Sequence, residues 1–135
     1  MQNPIWPFVA NSIFSSLCGL VFVSQPNWVT THLFILPEMV IFALGWGLIS
    51  FAGLMALVAS KGVPLGWGLI ISLQDVLWVL VTSGLALVFS DHFTREGVAA
   101  LILINVFVST FFVLQMQALR QGLRHPDPDS GFESR

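Results

Sequence analysis

Apolar positions fall into four long runs, each closed by proline, glycine or charge. The first covers residues 5–24 and stops before Pro26, with Pro4 and Pro7 at its entry, where a missing N–H costs little. The second covers 37–60 and ends in the tight turn Lys61-Gly62-Val63-Pro64. The third spans 64–90, opened by Pro64. The fourth covers 94–122, with Asp91 or Thr94 placed to cap it. About 20 residues rising about 1.5 Å each cross a hydrocarbon core roughly 30 Å thick, so each run is long enough to span it. The alternation of barrel strands is absent, and only helices or closed barrels satisfy their backbone polar groups in lipid.

The pattern therefore predicts an all-α polytopic membrane protein, four transmembrane helices in an antiparallel bundle over residues 1–122. The polar, breaker-rich residues 123–135 are expected to form a disordered cytoplasmic tail. Asn27–Leu36 is longer than a turn requires and mixes apolar with polar residues. It is expected to lie in the membrane interface as a short helix. No Lys or Arg precedes the first run and no small-x-small site follows it, so it reads as a retained span rather than a signal peptide.

Composition sharpens this picture. Of 135 residues, 56% are hydrophobic and 9% charged, with a net charge of −2. A soluble domain carries about 25% charged residues. These values exclude a nucleic-acid-binding face, a disordered chain and an ordinary soluble domain. A single cysteine, Cys18, excludes an intrachain disulfide and any CxxC motif; it lies mid-span and reads as a small packing residue.

Charge also orients the chain. Lys61, Arg120, Arg124 and Arg135 fall on the side shared by both termini, and only Arg95 falls on the other. The positive-inside rule then puts both termini in the cytoplasm. Trp6 and Trp67 lie near the inner interface and Trp28 near the outer one.

Leu44-Gly45-Trp46-Gly47-Leu48-Ile49-Ser50 recurs nearly intact from Leu65 to Ser72. The copies sit at different depths, so they read as composition bias rather than as halves of a transporter repeat. Ala43, Gly47, Ser50 and Gly53 or Leu54 form a small-residue stripe expected to pack against another helix. Trp46 and Trp78 are expected to pack inside the bundle.

Asp75 is the one carboxylate near a span centre. An ionised aspartate there costs about 2.5–3.5 kcal/mol on insertion scales, and neither Lys61 nor Arg95 should reach it. It is expected to be the neutral acid or to be held by neutral hydrogen bonds. Gly68, Ser72, Trp78 and Thr82 share its helical face, which turns that face toward the bundle. Asn105, with Ser109, lies at similar depth in the fourth span. Asn11, Ser15 and Gly19 form an i, i+4, i+8 stripe in the first. Asp75, Trp78, Asn105, Asn11, Ser15 and Ser72 thus make a candidate intramembrane polar site. Two roles stay open for Asp75: polar glue that fixes helix register, or a proton or substrate-cation site.

Positive signals for catalysis are absent. The sequence has no HExxH, GxSxG, GxxxxGKS or GxGxxG. Every histidine falls outside the spans, which disfavours haem ligation. Asp91, His92, Arg95 and Glu96, with His32 and Glu38, match no metal-ligand spacing and read as helix capping and solvated charge. No cofactor or metal is expected.

Asp75-Val76-Leu77-Trp78-Val79 with Ser83, together with Asn11, Phe14-Ser15, Gly19-Leu20 and Pro26, resembles a group of small four-span bacterial membrane proteins. Such proteins share an Asn early in the first helix and an Asp-x-x-Trp in the third. The resemblance implies a bacterial inner-membrane location and brings no reaction with it. Small multidrug exporters are similar in architecture only. Their essential acid lies in the first helix, whereas the candidate here lies in the third.

The sequence thus leads to a small integral membrane protein of accessory, structural or lipid- or partner-binding type, and not an enzyme. The alternative is a proton-coupled transporter or channel subunit acting as a homodimer around Asp75. The expected partners are the lipid bilayer and either a second copy or another membrane protein, with no nucleic acid.

Overall fold

A computed structural model describes residues 5–124. Of the tail expected over 123–135, residues 123 and 124 instead continue the last helix, whose apolar run carries the backbone hydrogen bonding on, and the rest lies outside the described residues. The described chain is all-helical: α1 (Trp6–Ser24), α2 (Pro26–His32), α3 (Glu38–Ser60), α4 (Leu65–Val88), a 3-10 turn at Ser90–His92 and α5 (Arg95–Arg124). Four of them, α1, α3, α4 and α5, are long and apolar enough to cross a membrane.

The breakers act where the backbone needs them. Pro26 opens α2 with only Gln25 between it and the end of α1, and Pro37 and Pro64 precede α3 and α4. The end of α3 is a Schellman motif: Gly62 N donates to Ala59 O (3.1 Å) and Val63 N to Val58 O (3.2 Å). Gly62 has φ +81° and Val63 φ +50°. Positive φ is unfavourable for a β-branched residue, and Val63 holds it while its side chain is buried beside Val58. Gly62 borders open space, so Gly62→Ala tests backbone strain alone. It is expected to cost about 1–2 kcal/mol, read as a lower denaturation midpoint in detergent.

At the other end, Thr94 caps α5. Gly97 N donates to Thr94 Oγ1 at 2.9 Å, whereas Asp91 belongs to the 3-10 turn. Thr94 also joins α5 to the end of α2. Its hydroxyl donates to the His32 and Leu33 carbonyls, and its N–H to Leu33 O (3.1 Å). Ile35 N to His92 O (2.7 Å) and a bridge between Phe34 and Phe93 complete the clasp.

The α1 helix is the most buried of the four long helices. It packs extensively along α3 and also meets α5. One stripe explains this: Asn11, Ser12, Ser15 and Gly19 are all buried, and their small side chains admit close approach. Ser12 Oγ donates to Ala52 O at 2.8 Å. Further along, Gly19 meets Gly45 so closely that a Cβ on Gly19 would lie 2.8 Å from Gly45 O. These two contacts make α1 and α3 run in opposite directions.

The packing face of α3 is Ile41, Gly45, Ala52, Met55, Val58 and Ala59. This corrects the small stripe expected at Ala43, Gly47, Ser50 and Gly53. Neither Gly47 nor Gly53 has an atom within 4 Å of an added Cβ. With α3 apolar all round, residue size along the sequence could not mark which face packs. Trp46 is likewise exposed rather than packed, with its ring against Phe42. The repeated motif uses different glycines in its two copies. Gly45 is tight in the first and Gly68 in the second, while Gly47 and Gly66 border open space.

Two apolar clusters hold the ends. Phe8, Met55, Val58, Val63, Ile71 and Leu119 gather at the Lys61 end. Phe22, Val29, Phe34 and Ile41 gather at the Thr94 end, where α2 packs by its buried Val29. The α4 helix joins only the first cluster. No residue of α4 beyond Asp75 is buried, and α3 and α4 barely touch although a short turn joins them. The half of α4 beyond Asp75 therefore leans on α5 and leaves a gap beside α3.

Candidate functional site

That gap is a cavity of about 590 Å³. Its long wall is α3, from Met39 through Ala43 and Gly47 to Phe51. The α1 helix contributes Asn11, Phe14, Ser15, Cys18 and Phe22; α4 contributes Gln74, Asp75 and Trp78; Ile104 and Val108 of α5 close the back. The cavity runs from the level of Asp75 toward the Thr94 end, and the Lys61-end cluster lies beyond it.

At its polar corner, Asn11 Nδ2 donates to Asp75 Oδ2 at 2.8 Å, with both residues buried. Ser15 Oγ donates to Asn11 Oδ1 at 3.4 Å. The Asn11 amide is thereby committed at both ends. Asp75 itself borders the cavity. One turn back, Ser72 Oγ donates to Gln115 Oε1 at 2.9 Å. Gln115 is fully buried and its Nε2 has no partner. Its amide lies near Asp75, so the acid sits between two amide side chains from two helices.

Asp75, Asn11 and Ser15 therefore form one network on the cavity wall, and Ser72 adjoins it through Gln115. Trp78 is half-buried and lines the cavity, with Cys18 opposite on α1. Asn105 does not join them. Its side chain accepts from Thr82 Oγ1 (3.1 Å) and donates to Ser83 Oγ (3.1 Å). The helix register explains the separation: the alignment that faces Ser72 with Gln115 also faces Thr82 with Asn105. Asn105 thus lies two turns of α4 past Asp75, about 10 Å along the axis.

Gln115 and Gln74 carry no mark in the apolar pattern, and sequence reasoning passed over both. One signal could have found Gln115. Leu101, Val108 and Gln115 recur every seven residues as the buried stripe of α5, and the last is polar. Among the described residues, no three His, Cys, Asp or Glu side chains gather closely enough to hold a metal ion.

The fold and the site together define an all-helical chain with four helices fit to cross a membrane and a buried acid on the wall of an apolar cavity. No family model, no curated protein and no solved structure matches the chain.

Proposed function

We propose that this chain is an integral membrane protein of the bacterial inner membrane, a four-span antiparallel bundle with both termini cytoplasmic, that holds a small lipophilic molecule within the bilayer. One observation carries the reading: the cavity of about 590 Å³, almost wholly apolar, with the Asp75–Asn11 pair in its wall. Sites of about 300–1,000 Å³ with few polar groups are typical of small-ligand binding. Membrane residence is supported by the outward faces of the four helices, which are as apolar as their contacts. The tally of Lys and Arg on the two sides supports the orientation.

The reading assigns binding and no catalysis. The partners of Asp75 are amide groups that orient it, and neither His32 nor His92 lines the cavity. The alternative, a proton-coupled homodimer, draws on the position of Asp75 beside the cavity. Against it, α1, α4 and α5 of a single chain already surround the acid.

Native mass spectrometry from nanodiscs tests the reading. The wild type is expected to retain one lipophilic molecule per chain, and Gly47→Phe to release it. A Cβ at Gly47 meets nothing within 4 Å, so the ring has room to enter the cavity that Gly47 lines. An empty wild type, or equal retention by the filled variant, overturns the proposal. A dimer that loses its ligand with Asp75→Asn favours the alternative.

A further inference from the structure

We propose that the ligand of this cavity is a lipophilic amine, an ammonium group on a single apolar body, that pairs with Asp75. The inference rests on the binding reading and names the chemistry of its ligand. Size comes first. A transmembrane helix about 10 Å across and about 30 Å long displaces several times 590 Å³, so the space suits a small molecule and not a partner's helix.

Polarity comes next. Asn11 is occupied on both sides, by Asp75 and by Ser15. Asp75 meets only neutral amides, those of Asn11 and Gln115, and borders the cavity. As a carboxylate Asp75 only accepts, so the complementary ligand group is a donor. No Lys, Arg or His among the described residues lines the cavity. A carboxylate at this depth is costly unless paired, and an ammonium is the partner that offsets its desolvation. An anionic amphiphile would set two negative charges together. A neutral alcohol would leave the charge uncompensated. The aromatic side chains of Phe14, Phe22 and Trp78 line the same space and suit a cation.

Depth separates a free amine from a phospholipid headgroup. Asp75 is near the middle of the 24-residue α4, about 15 Å from one end and about 20 Å from the other. A headgroup amine is tied to a phosphate that stays at the interface, so the amine that reaches Asp75 carries no phosphate.

The test titrates full-length protein in nanodiscs with dimethyldodecylamine, dodecanol and dodecanoate, with empty nanodiscs as the partition baseline. The amine is expected to saturate at about one per chain, with an affinity about tenfold or more above that of the alcohol. Asp75→Asn is expected to bring the amine down to the level of the alcohol and leave alcohol binding unchanged, and Gly47→Phe to abolish both. Equal binding of amine and alcohol, tighter binding of dodecanoate, or an amine preference that survives Asp75→Asn overturns the amine assignment and leaves the cavity reading standing. No saturable binding of any probe overturns both. The comparison of probes on the wild type decides the matter even if Asp75→Asn fails to fold.

Discussion

Gly97→Ala is expected to lower stability by about 2–3 kcal/mol, near the top of the usual range for overpacking. A Cβ there would run into the carbonyl oxygen of Leu33. The obstacle is backbone, so no rotamer change removes the clash. The first turn of α5 must move away from the end of α2, and that movement works against the two bonds Thr94 makes to Leu33 O. The neighbouring bond from Ile35 N to His92 O is strained with them. Gly84→Ala is the control. It lies within α4, and its added Cβ meets nothing within 4 Å. There alanine is expected to be neutral or mildly stabilising, since its helix propensity exceeds that of glycine by about 1 kcal/mol. Unfolding of both variants in mixed micelles checks the pair. Equal midpoints for the two would show that the clasp at the Thr94 end yields easily.

Asn11→Leu is expected to cost about 1.5–3 kcal/mol, the range for hydrogen bonds to charged groups. It strips Asp75 of the amide that donates to it at 2.8 Å and leaves the acid buried. The double variant Asn11→Leu/Asp75→Leu is expected to recover much of that loss, because removing both partners leaves no orphan polar group at the pair. The coupling between the two sites should be smaller than the single loss. Interhelical hydrogen bonds in membranes average about 0.6 kcal/mol and reach about 1.7 kcal/mol. A double-mutant cycle read by denaturation separates the worth of the bond from the cost of the orphan. Additive losses would show that Asn11 and Asp75 act independently. Asp75→Asn keeps an acceptor for Asn11, so its effect on ligand binding can be read apart from folding.

The site was only partly legible. Asp75 stands out because a carboxylate is rare in an apolar run, and Asn11 and Ser15 because they share a stripe on α1. That Asn11 meets Asp75 while Asn105 does not depends on which helices are neighbours and on their relative height. Both amides lie in long apolar helices and bear the same chemistry, so composition gives no preference. Gln115 escaped for a related reason: only the seven-residue recurrence of the buried stripe on α5 distinguishes it from an exposed glutamine such as Gln117.

By itself the sequence determined the helical class, the four long apolar helices and their punctuation. These follow from local rules. Backbone polar groups must be satisfied within each apolar run, and proline and glycine end a helix whatever surrounds it. The tertiary structure alone decided which glycine of each Gly-Trp-Gly copy carries a close contact, which face of α3 packs, and that α4 parts from α3 to open a cavity. When every face of a helix is apolar, hydrophobicity cannot choose a partner. The choice passes to shape, as at Gly19 and Gly45, and to a few buried hydrogen bonds, as at Asn11 and Asp75.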